Sequence, residues 1–220
     1  MNENNKKKIA LFQHHPECSE DCCNGIIMSL EANYSIQTFS PEEISAEFLK
    51  EFNMMVFPGG IGDASSFDEF FRYKSQKSVV DYVEEGGKYL GICMGAYWAG
   101  VHYFDLMNDV DCQQYIKRDS ADIKRSYATT ASCTWDGSHQ DMFFYDGTVF
   151  VGDNTKFDTI ATYQNNEPMA IIQNNIGLIG CHPESLHYWY TEPYKYLEGR
   201  WHNYTHHKLL ENFVDRLMEN

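Results

Sequence analysis

The segment YLGICMGAYWAG, residues 89–100, places a cysteine between an apolar run and a run of small residues. An apolar strand leading to Gly91, then Cys93 and Gly95, is the layout of a nucleophile elbow, in which the nucleophile occupies a tight strand-to-helix turn. The N-terminus of the following helix would favour an anionic sulfur and offer backbone N–H groups to an anion. We therefore predict that Cys93 is a nucleophile; the alternative is a free cysteine buried beneath a helix.

The motif FPGG, residues 57–60, closes the strand that precedes the elbow. It should lie beside Cys93 at the same edge of the sheet, where the N–H of Gly60 could join that of Met94 in an oxyanion hole. We also assign Gly59 to the bordering substrate pocket. The alternative is an ordinary tight turn, because Pro-Gly pairs form turns in many proteins.

The motif CHPES, residues 181–185, follows the last expected strand. His182 at this position could deprotonate the thiol of Cys93, and Glu184, two residues further on, could hold the imidazole. A lone His-Pro-Glu would be weak evidence for catalysis. Its position after an elbow favours a Cys-His-Glu triad.

Strands alternating with helices must position these residues. Strands are predicted at residues 8–13, 34–39, 54–57 and 89–92, and helices at 25–32, 40–52, 76–85 and 94–101. This alternation predicts a parallel sheet covered on both faces. Residues 105–162 are polar, β-leaning and rich in turns, which favours antiparallel strands that are inserted into the main sheet or extend it. A hairpin around Asn174-Asn175 and an amphipathic helix at residues 207–218 follow.

Together these motifs resemble class I glutamine amidotransferases, and more closely the biotin-protein ligase N-terminal domain family, which shares that fold. The family has a strand ending in FPGG, a GG-x-YLGIC-x-GAY-x-A elbow and a terminal HPE; here they stand at residues 57–60, 86–100 and 182–184. The resemblance extends over roughly residues 8–190. It implies a flavodoxin-like three-layer α/β sandwich with a mostly parallel central sheet and an antiparallel β extension. One domain, residues 1–220, would contain this core and a C-terminal helical extension, residues 187–220.

The same resemblance assigns roles to individual residues. Cys93 matches the nucleophile position, His182 the base and Glu184 the orienting acid, while Gly60 and Met94 match the oxyanion hole. The resemblance implies no cofactor.

The sequence departs from the amidotransferase pattern at Tyr97, where those enzymes usually carry a glutamine that helps to seat the substrate. Glutaminase activity therefore does not follow from the resemblance, and we assign Tyr97 and His14 to the substrate pocket instead. The glycine-rich biotinyl-adenylate motif of a ligase catalytic domain is absent from the sequence. We expect that the protein is not a biotin ligase.

The amino-acid composition disfavours some classes of binding partner. The 220 residues carry 17 Lys plus Arg against 32 Asp plus Glu, a formal net charge of -15. Such acidity disfavours nucleic acid and anionic membrane surfaces, although solubility alone accounts for much of it. No run of about 20 apolar residues and no secretory leader is recognisable. The odd number of cysteines, seven, favours reduced thiols and a cytoplasmic location.

Two segments have open interpretations. The first loop, which we expect near Cys93, contains His14, His15, Cys18, Cys22 and Cys23. A zinc site is one alternative for this loop, but the sequence has no second pair of ligands at the spacing of known zinc sites. We therefore interpret it as an ordinary active-site loop and predict no metal. The aromatic C-terminal extension is expected to pack onto the body; the alternatives are a substrate lid and a homodimer surface.

Two functional hypotheses follow. The first is a cysteine-dependent amidase or hydrolase that acts on a small-molecule or peptide amide, or a related acyl compound, through Cys93, His182 and Glu184. The second is a catalytically idle or regulatory binding domain that keeps the pocket, since ligase-associated relatives accompany another active site. The sequence itself leaves both open.

Overall fold

Short apolar runs form the strands, as the sequence predicts. The computed structural model describes residues 6–220; residues 1–5, which the predicted domain also includes, lie outside the described residues. The strands are β1 (Lys8–Phe12), β2 (Ser35–Phe39), β3 (Met54–Phe57), β4 (Lys88–Ile92), β5 (Val110–Gln114), β6 (Thr129–Trp135), β7 (Ser138–Phe144), β8 (Thr148–Gly152), β9 (Asp158–Tyr163), β10 (Pro168–Gln173) and β11 (Ile176–Ile179). The α-helices are α1 (Glu20–Leu30), α2 (Ala46–Leu49), α3 (Ala64–Phe67), α4 (Gln76–Glu84), α5 (Met94–Trp98) and α6 (Thr205–Glu219).

Nine strands form one mixed sheet in the order β2-β1-β3-β4-β11-β10-β9-β6-β7. The first five strands of this order pair in parallel, and the remaining pairs are antiparallel. The polar middle of the chain therefore extends the main sheet, apart from β5 and β8, which pair separately. The hairpin of β10 and β11 makes the change of direction, because β11 turns back to lie parallel to β4.

Helices cover both faces of the sheet. A Cβ on Gly91 of β4 would meet the backbone of α5, and a Cβ on Gly177 of β11 would meet Phe213 of α6. Gly91 pairs with Leu178, the neighbour of Gly177, and neighbouring residues of a strand point to opposite faces. The two helices therefore lie on opposite sides of the sheet, which makes three layers.

An aromatic cluster fills the layer between the sheet and α5. The rings of Phe12, Phe57, Phe71, Trp98 and Phe104 contact one another at centroid distances of 5.1–5.9 Å. All five side chains are almost completely buried. Each buried aromatic side chain contributes a large apolar area, so this cluster fixes α5 against the ends of β1 and β3.

Several helix boundaries differ from the predicted ones. α1 begins at Glu20 rather than near residue 25, because two acidic residues in its first turn suit a helix N-terminus. The helix expected over residues 40–52 is split: a capping box of Ser40 and Glu43 closes a single 3₁₀ turn, and Ser45 caps the short α2. The helical residues 64–75, which include a π-helical segment, were not predicted.

The C-terminal extension is part of this architecture. It contains 3₁₀ turns at His187–Tyr190 and Lys195–Arg200 before α6. α6 is the longest helix among the described residues, at 15 residues, and none of the helices described could cross a lipid bilayer. The prediction that the extension packs onto the body agrees with the burial of Trp189, Tyr190 and Leu197.

A buried histidine cluster joins α6 to the CHPES motif. The His202 and His206 rings stack at 4.0 Å, His202 Nε2 lies 3.2 Å from Ser185 Oγ, and His207 Nε2 donates to the Ser185 carbonyl at 2.9 Å. Burial lowers the pKa of His202 to about 3 and that of His206 to about 4, and the charges of neighbouring histidines act in the same direction. The folded protein therefore keeps both imidazoles neutral.

This cluster predicts a loss of stability in acid. An unfolded histidine binds its proton below its ordinary pKa of 6.5, whereas folded His206 does so only below about 4. The unfolded state therefore binds more protons between these pH values, and the free energy of unfolding falls as pH falls through that window. We expect His206→Gln to reduce this fall by on the order of 1–3 kcal/mol, measured by urea unfolding at pH 7, 5.5 and 4. His139→Gln, at an exposed histidine, is the matched control; equal pH dependence in wild type and both variants would contradict the prediction.

Candidate active site

Cys93 stands at the turn between β4 and α5 with a strained backbone. Its φ is 50° and its ψ is −104°, a region that non-glycine residues enter at a cost of about 1–3 kcal/mol. Three contacts hold the turn: the Cys93 N–H donates to the Ile179 carbonyl at 2.9 Å, the Cys93 carbonyl accepts the Tyr97 N–H at 3.1 Å, and it accepts the Thr148 hydroxyl at 3.3 Å. The geometry is that of a tight, strained turn from a strand into a helix.

Gly95 lets α5 approach the sheet closely enough for this turn. A Cβ at Gly95 would lie 2.0 Å from the Phe57 carbonyl oxygen. The Gly95 N–H donates to the Pro58 carbonyl at 3.2 Å, and the Tyr89 hydroxyl donates to the Gly95 carbonyl at 2.7 Å. No larger residue fits here without moving the helix that follows Cys93.

His182 and Glu184 follow the neighbouring strand β11. The His182 N–H donates to the Phe143 carbonyl at 3.0 Å, and His182 Nδ1 lies 2.8 Å from Glu184 Oε1. Glu184 is completely buried, and a Cβ at Gly25 of α1 would lie 2.1 Å from the Glu184 carbonyl oxygen. The carboxylate thus fixes one edge of the imidazole, as an orienting acid does.

The charges around His182 stabilise its protonated form. Burial lowers the pKa of His182, but the Glu184 carboxylate and the Cys93 sulfur beside it more than offset this effect and hold that pKa well above its ordinary value. An imidazolium next to the sulfur is the arrangement in which a cysteine nucleophile is activated.

A second thiol, that of Cys22 in the first turn of α1, also faces His182. Its sulfur lies 4.0 Å from His182 Nδ1. Burial raises the pKa of Cys22 to about 12, although the contact with His182 acts in the opposite direction. Cys22 is therefore a neutral thiol at pH 7.

A cleft of about 850 Å³ opens beside these groups. We call it the Cys93 cleft, and its wall consists of Ser19, Asp21, Cys22, Gly60, Ile61, Gly62, Asp63, Cys93, Met94, Tyr97, His102, Tyr103, Cys112, Gln114, Phe143, Tyr145, Asp146, His182, Tyr188, Trp189, Glu192, Pro193 and Tyr194. Its volume is within the range of pockets that hold small molecules. Cys93 is 7% exposed and His182 5%, so both reach the cleft only at its floor.

Gly60 and Met94 line the same cleft. Gly60 faces Cys18 in an isolated β-bridge, whose hydrogen bonds run through Gly59 and Ile61 instead. Met94 is the first residue of α5, where a helix leaves its N–H without an internal partner. Among residues 6–220, neither N–H donates to a backbone carbonyl. The assignment of Gly60 and Met94 to an oxyanion hole stays a prediction.

The residues assigned to the substrate pocket have three different positions. Tyr97 lines the cleft, and its hydroxyl donates to the Asp146 and Gly147 carbonyls at 3.2 and 3.1 Å. Gly59 lies behind the site, because a Cβ there would meet His182 Cε1 at 2.5 Å. His14 lies outside the cleft: its ring packs against Phe70 and its Nδ1 contacts Glu17 at 2.6 Å. The assignment of His14 to the substrate pocket stays a prediction that this position does not support.

The cysteines of the first loop do not converge on one point. Cys18 and Cys23 face each other with sulfurs 3.3 Å apart, and both donate to the Phe12 carbonyl. Cys22 turns the other way, towards His182. In the described part of the chain, the group of metal-ligand types that lies within 4.8 Å is Cys22, His182 and Glu184. This differs from the loop-only site considered from the sequence.

The sequence places the C-terminal extension at the substrate only as an alternative, a lid. Tyr188, Trp189 and Tyr194 line the Cys93 cleft, and the Trp189 ring lies 5.6 Å from the His182 ring. The only available signal was proximity, because these aromatics follow CHPES within a few residues. The contact of Cys93 Sγ with the Asp146 carbonyl, at 3.9 Å, had no sequence signal beyond an Asp-Gly turn.

Comparison with known families supports the resemblance seen in the motifs. Residues 13–119 match the family model for "Biotin-protein ligase, N terminal". This range contains Gly60, Cys93 and Met94 but ends before His182 and Glu184. No curated protein matches the sequence.

Solved glutamine amidotransferases have the same fold. One from Thermotoga maritima is 14% identical, with 97% of this chain and 99% of that chain covered and a TM-score of 0.67. A second glutamine amidotransferase is 16% identical, with coverage of 96% and 99% and a TM-score of 0.63. One from Methylobacillus flagellatus is 11% identical, with coverage of 97% and 94% and a TM-score of 0.61. At these identities the likeness shows the fold alone, which is the one predicted from the motifs.

The close approach of α5 to β3 predicts that Gly95→Ala is destabilising. The added methyl group would overlap the Phe57 carbonyl, and such overpacking costs about 1–3 kcal/mol. We expect that loss in the free energy of urea unfolding. Gly199→Ala is the matched control, because a Cβ there has no atom within 4 Å. Equal stabilities of the two variants would contradict the packing described for the elbow.

Proposed function

We propose that this class I glutamine amidotransferase-like protein is a cysteine-dependent hydrolase that cleaves an amide or a related acyl bond with Cys93 as its nucleophile. His182 would act as acid and base, and Glu184 would orient it. The observation that carries the proposal is the strained Cys93 turn, with φ of 50°, at the floor of a cleft that His182 also lines. Strain of this kind at a cleft is typical of catalytic residues.

The reaction would proceed through an acyl-enzyme. The Cys93 sulfur gives its proton to His182 and forms a bond to the carbonyl carbon. The resulting oxyanion accepts hydrogen bonds from the N–H groups of Gly60 and Met94. The imidazolium then gives its proton to the departing amine as the carbon–nitrogen bond breaks. Water attacks the thioester, gives a proton back to His182, and releases the carboxylic acid with the free enzyme.

The cleft supports a substrate with an apolar or flat portion beside the scissile bond. Aromatic side chains form much of its wall, among them Tyr97, Phe143, Tyr145 and Trp189. Tyr97 occupies the position of the amidotransferase glutamine, and its hydroxyl is engaged by two backbone carbonyls. These features favour a small-molecule or peptide amide over free glutamine. The competing proposal, a binding domain with an idle thiol, gives the opposite results in the tests below.

Labelling of Cys93 tests the role of His182 directly. An unassisted thiol is ionised to only about 1% at pH 6.5, whereas the raised pKa of His182 keeps an imidazolium beside the Cys93 sulfur at that pH, which assists attack by the sulfur. We expect iodoacetamide to alkylate Cys93 about 100-fold more slowly at pH 6.5 in His182→Ala than in wild type, measured by mass spectrometry of the Cys93 peptide.

His102→Gln, at an exposed cleft-lining histidine, is the matched control and should label like wild type. Slow labelling of the wild type with no effect of His182→Ala would support the idle domain and overturn the hydrolase proposal.

Glu184→Gln tests the orienting carboxylate. Without its charge, burial would dominate and lower the pKa of His182, since Glu184 is the main group that raises it. The pH at which Cys93 labelling reaches half its maximum should therefore move upwards. Deacylation of the acetyl-enzyme formed from a model ester, 4-nitrophenyl acetate, should slow by about 100-fold. Glu192→Gln, at an exposed carboxylate of the same cleft, should change neither quantity; an unchanged Glu184→Gln profile would remove Glu184 from the proposed mechanism.

A further inference from the structure

We propose that Cys22, His182 and Glu184 form a Zn²⁺ site that holds the Cys93 site in an inactive state. Metal binding is argued from the ligand geometry and from a buried oxygen without a partner, whereas its inhibitory effect rests on the hydrolase function proposed above. The site uses one cysteine of the first loop region and the two residues of the HPE motif, which belong to opposite parts of the chain.

The three side chains already converge. Their ligand atoms all lie within 4.8 Å of one another, with Nδ1 of His182 2.8 Å from the Glu184 carboxylate and 4.0 Å from the Cys22 sulfur. Ligand atoms around a tetrahedral zinc ion are about 3.5 Å apart. Changes of roughly half an ångström in the Nδ1–Sγ and Nδ1–Oε1 distances would therefore bring these two pairs of atoms to the spacing of ligands around one zinc ion.

A second observation points to a ligand at this place. Glu184 is completely buried, and its Oε2 has no hydrogen-bond partner among the described residues. A buried carboxylate oxygen without a partner is costly, and a cation bound between Glu184 and Cys22 would satisfy it. Gly59 leaves the space, because a Cβ there would lie 2.9 Å from the Cys22 sulfur and 3.2 Å from His182 Nδ1.

The donor set selects the metal. A thiolate, an imidazole and a carboxylate together suit zinc, whereas calcium and magnesium prefer oxygen ligands only. Cys22 and His182 both line the Cys93 cleft, which gives the ion a path of entry. The cleft also leaves room for water as the fourth ligand.

Zinc at Nδ1 would disable the proposed chemistry. A metal-bound Nδ1 carries no proton, so the remaining ring proton resides on Nε2. Nε2 is the only ring nitrogen that remains for the proposed proton transfer, and with that proton it can no longer accept the proton of the Cys93 thiol. The same metal removes Glu184 from its role as the orienting acid. Cys22 then becomes the residue that decides whether the His182–Glu184 pair serves Cys93 or a metal ion.

The test uses the full-length chain, stripped of metal with a chelator and titrated with ZnCl₂ alone. We expect one zinc per chain by equilibrium dialysis, one sulfur ligand by X-ray absorption, and a cobalt–thiolate absorption band when CoCl₂ replaces zinc. Cys22→Ser should weaken zinc binding at least about 100-fold. Cys112→Ser, at another thiol of the cleft, should leave it unchanged. Zinc should also block alkylation of Cys93 in wild type but not in Cys22→Ser.

Three results would overturn the inference: no stoichiometric zinc, two or more sulfur ligands on the metal, or full binding in Cys22→Ser. The X-ray absorption measurement needs only wild type, so it decides the matter even where Cys22→Ser does not fold. Failure of the hydrolase proposal is measured separately. It would appear as Cys93 labelling in metal-free protein at a rate that is the same with and without His182. Zinc binding with such labelling would leave the metal site standing without its inhibitory role.

Discussion

The parallel pairing of β11 with β4 is the contact on which the site depends. These strands come from residues 88–92 and 176–179, yet their register places Ile179 opposite Ile92 and lets the Cys93 N–H donate to the Ile179 carbonyl. The residues that follow each strand therefore leave the sheet at the same edge. Only this pairing brings a cysteine and a histidine so far apart in sequence to the floor of one cleft.

Glycines allow the surrounding layers to approach that edge. Gly95 brings α5 against β3, Gly59 lies against the His182 ring, and Gly25 brings α1 against the Glu184 backbone; a Cβ at each would meet an atom within 2.5 Å. The consequence is electrostatic as well as steric. Groups excluded from water interact more strongly, so the Glu184 carboxylate can outweigh the burial of His182 and raise its pKa.

Two side chains meet at one nitrogen of the His182 ring. Cys22 approaches the same imidazole nitrogen that Glu184 holds, and the C-terminal extension closes the other side with Trp189 and the Ser185–His202 contact. His182 is thus held by Cys22, which is distant in sequence, and by Glu184 and Trp189, which follow it closely in the chain.

The sequence by itself determined the alternation of strands and helices, the elbow at Cys93, the FPGG turn, and the HPE motif after a last strand, because these depend on local periodicity and on short motifs. The families that it resembles followed from the same motifs. The tertiary structure alone decided that Cys22 faces His182, that His14 turns away to Phe70, and that the C-terminal aromatics form the wall of the cleft. These are contacts between side chains of separate elements. They arise from how the layers pack, which no local pattern of residues encodes.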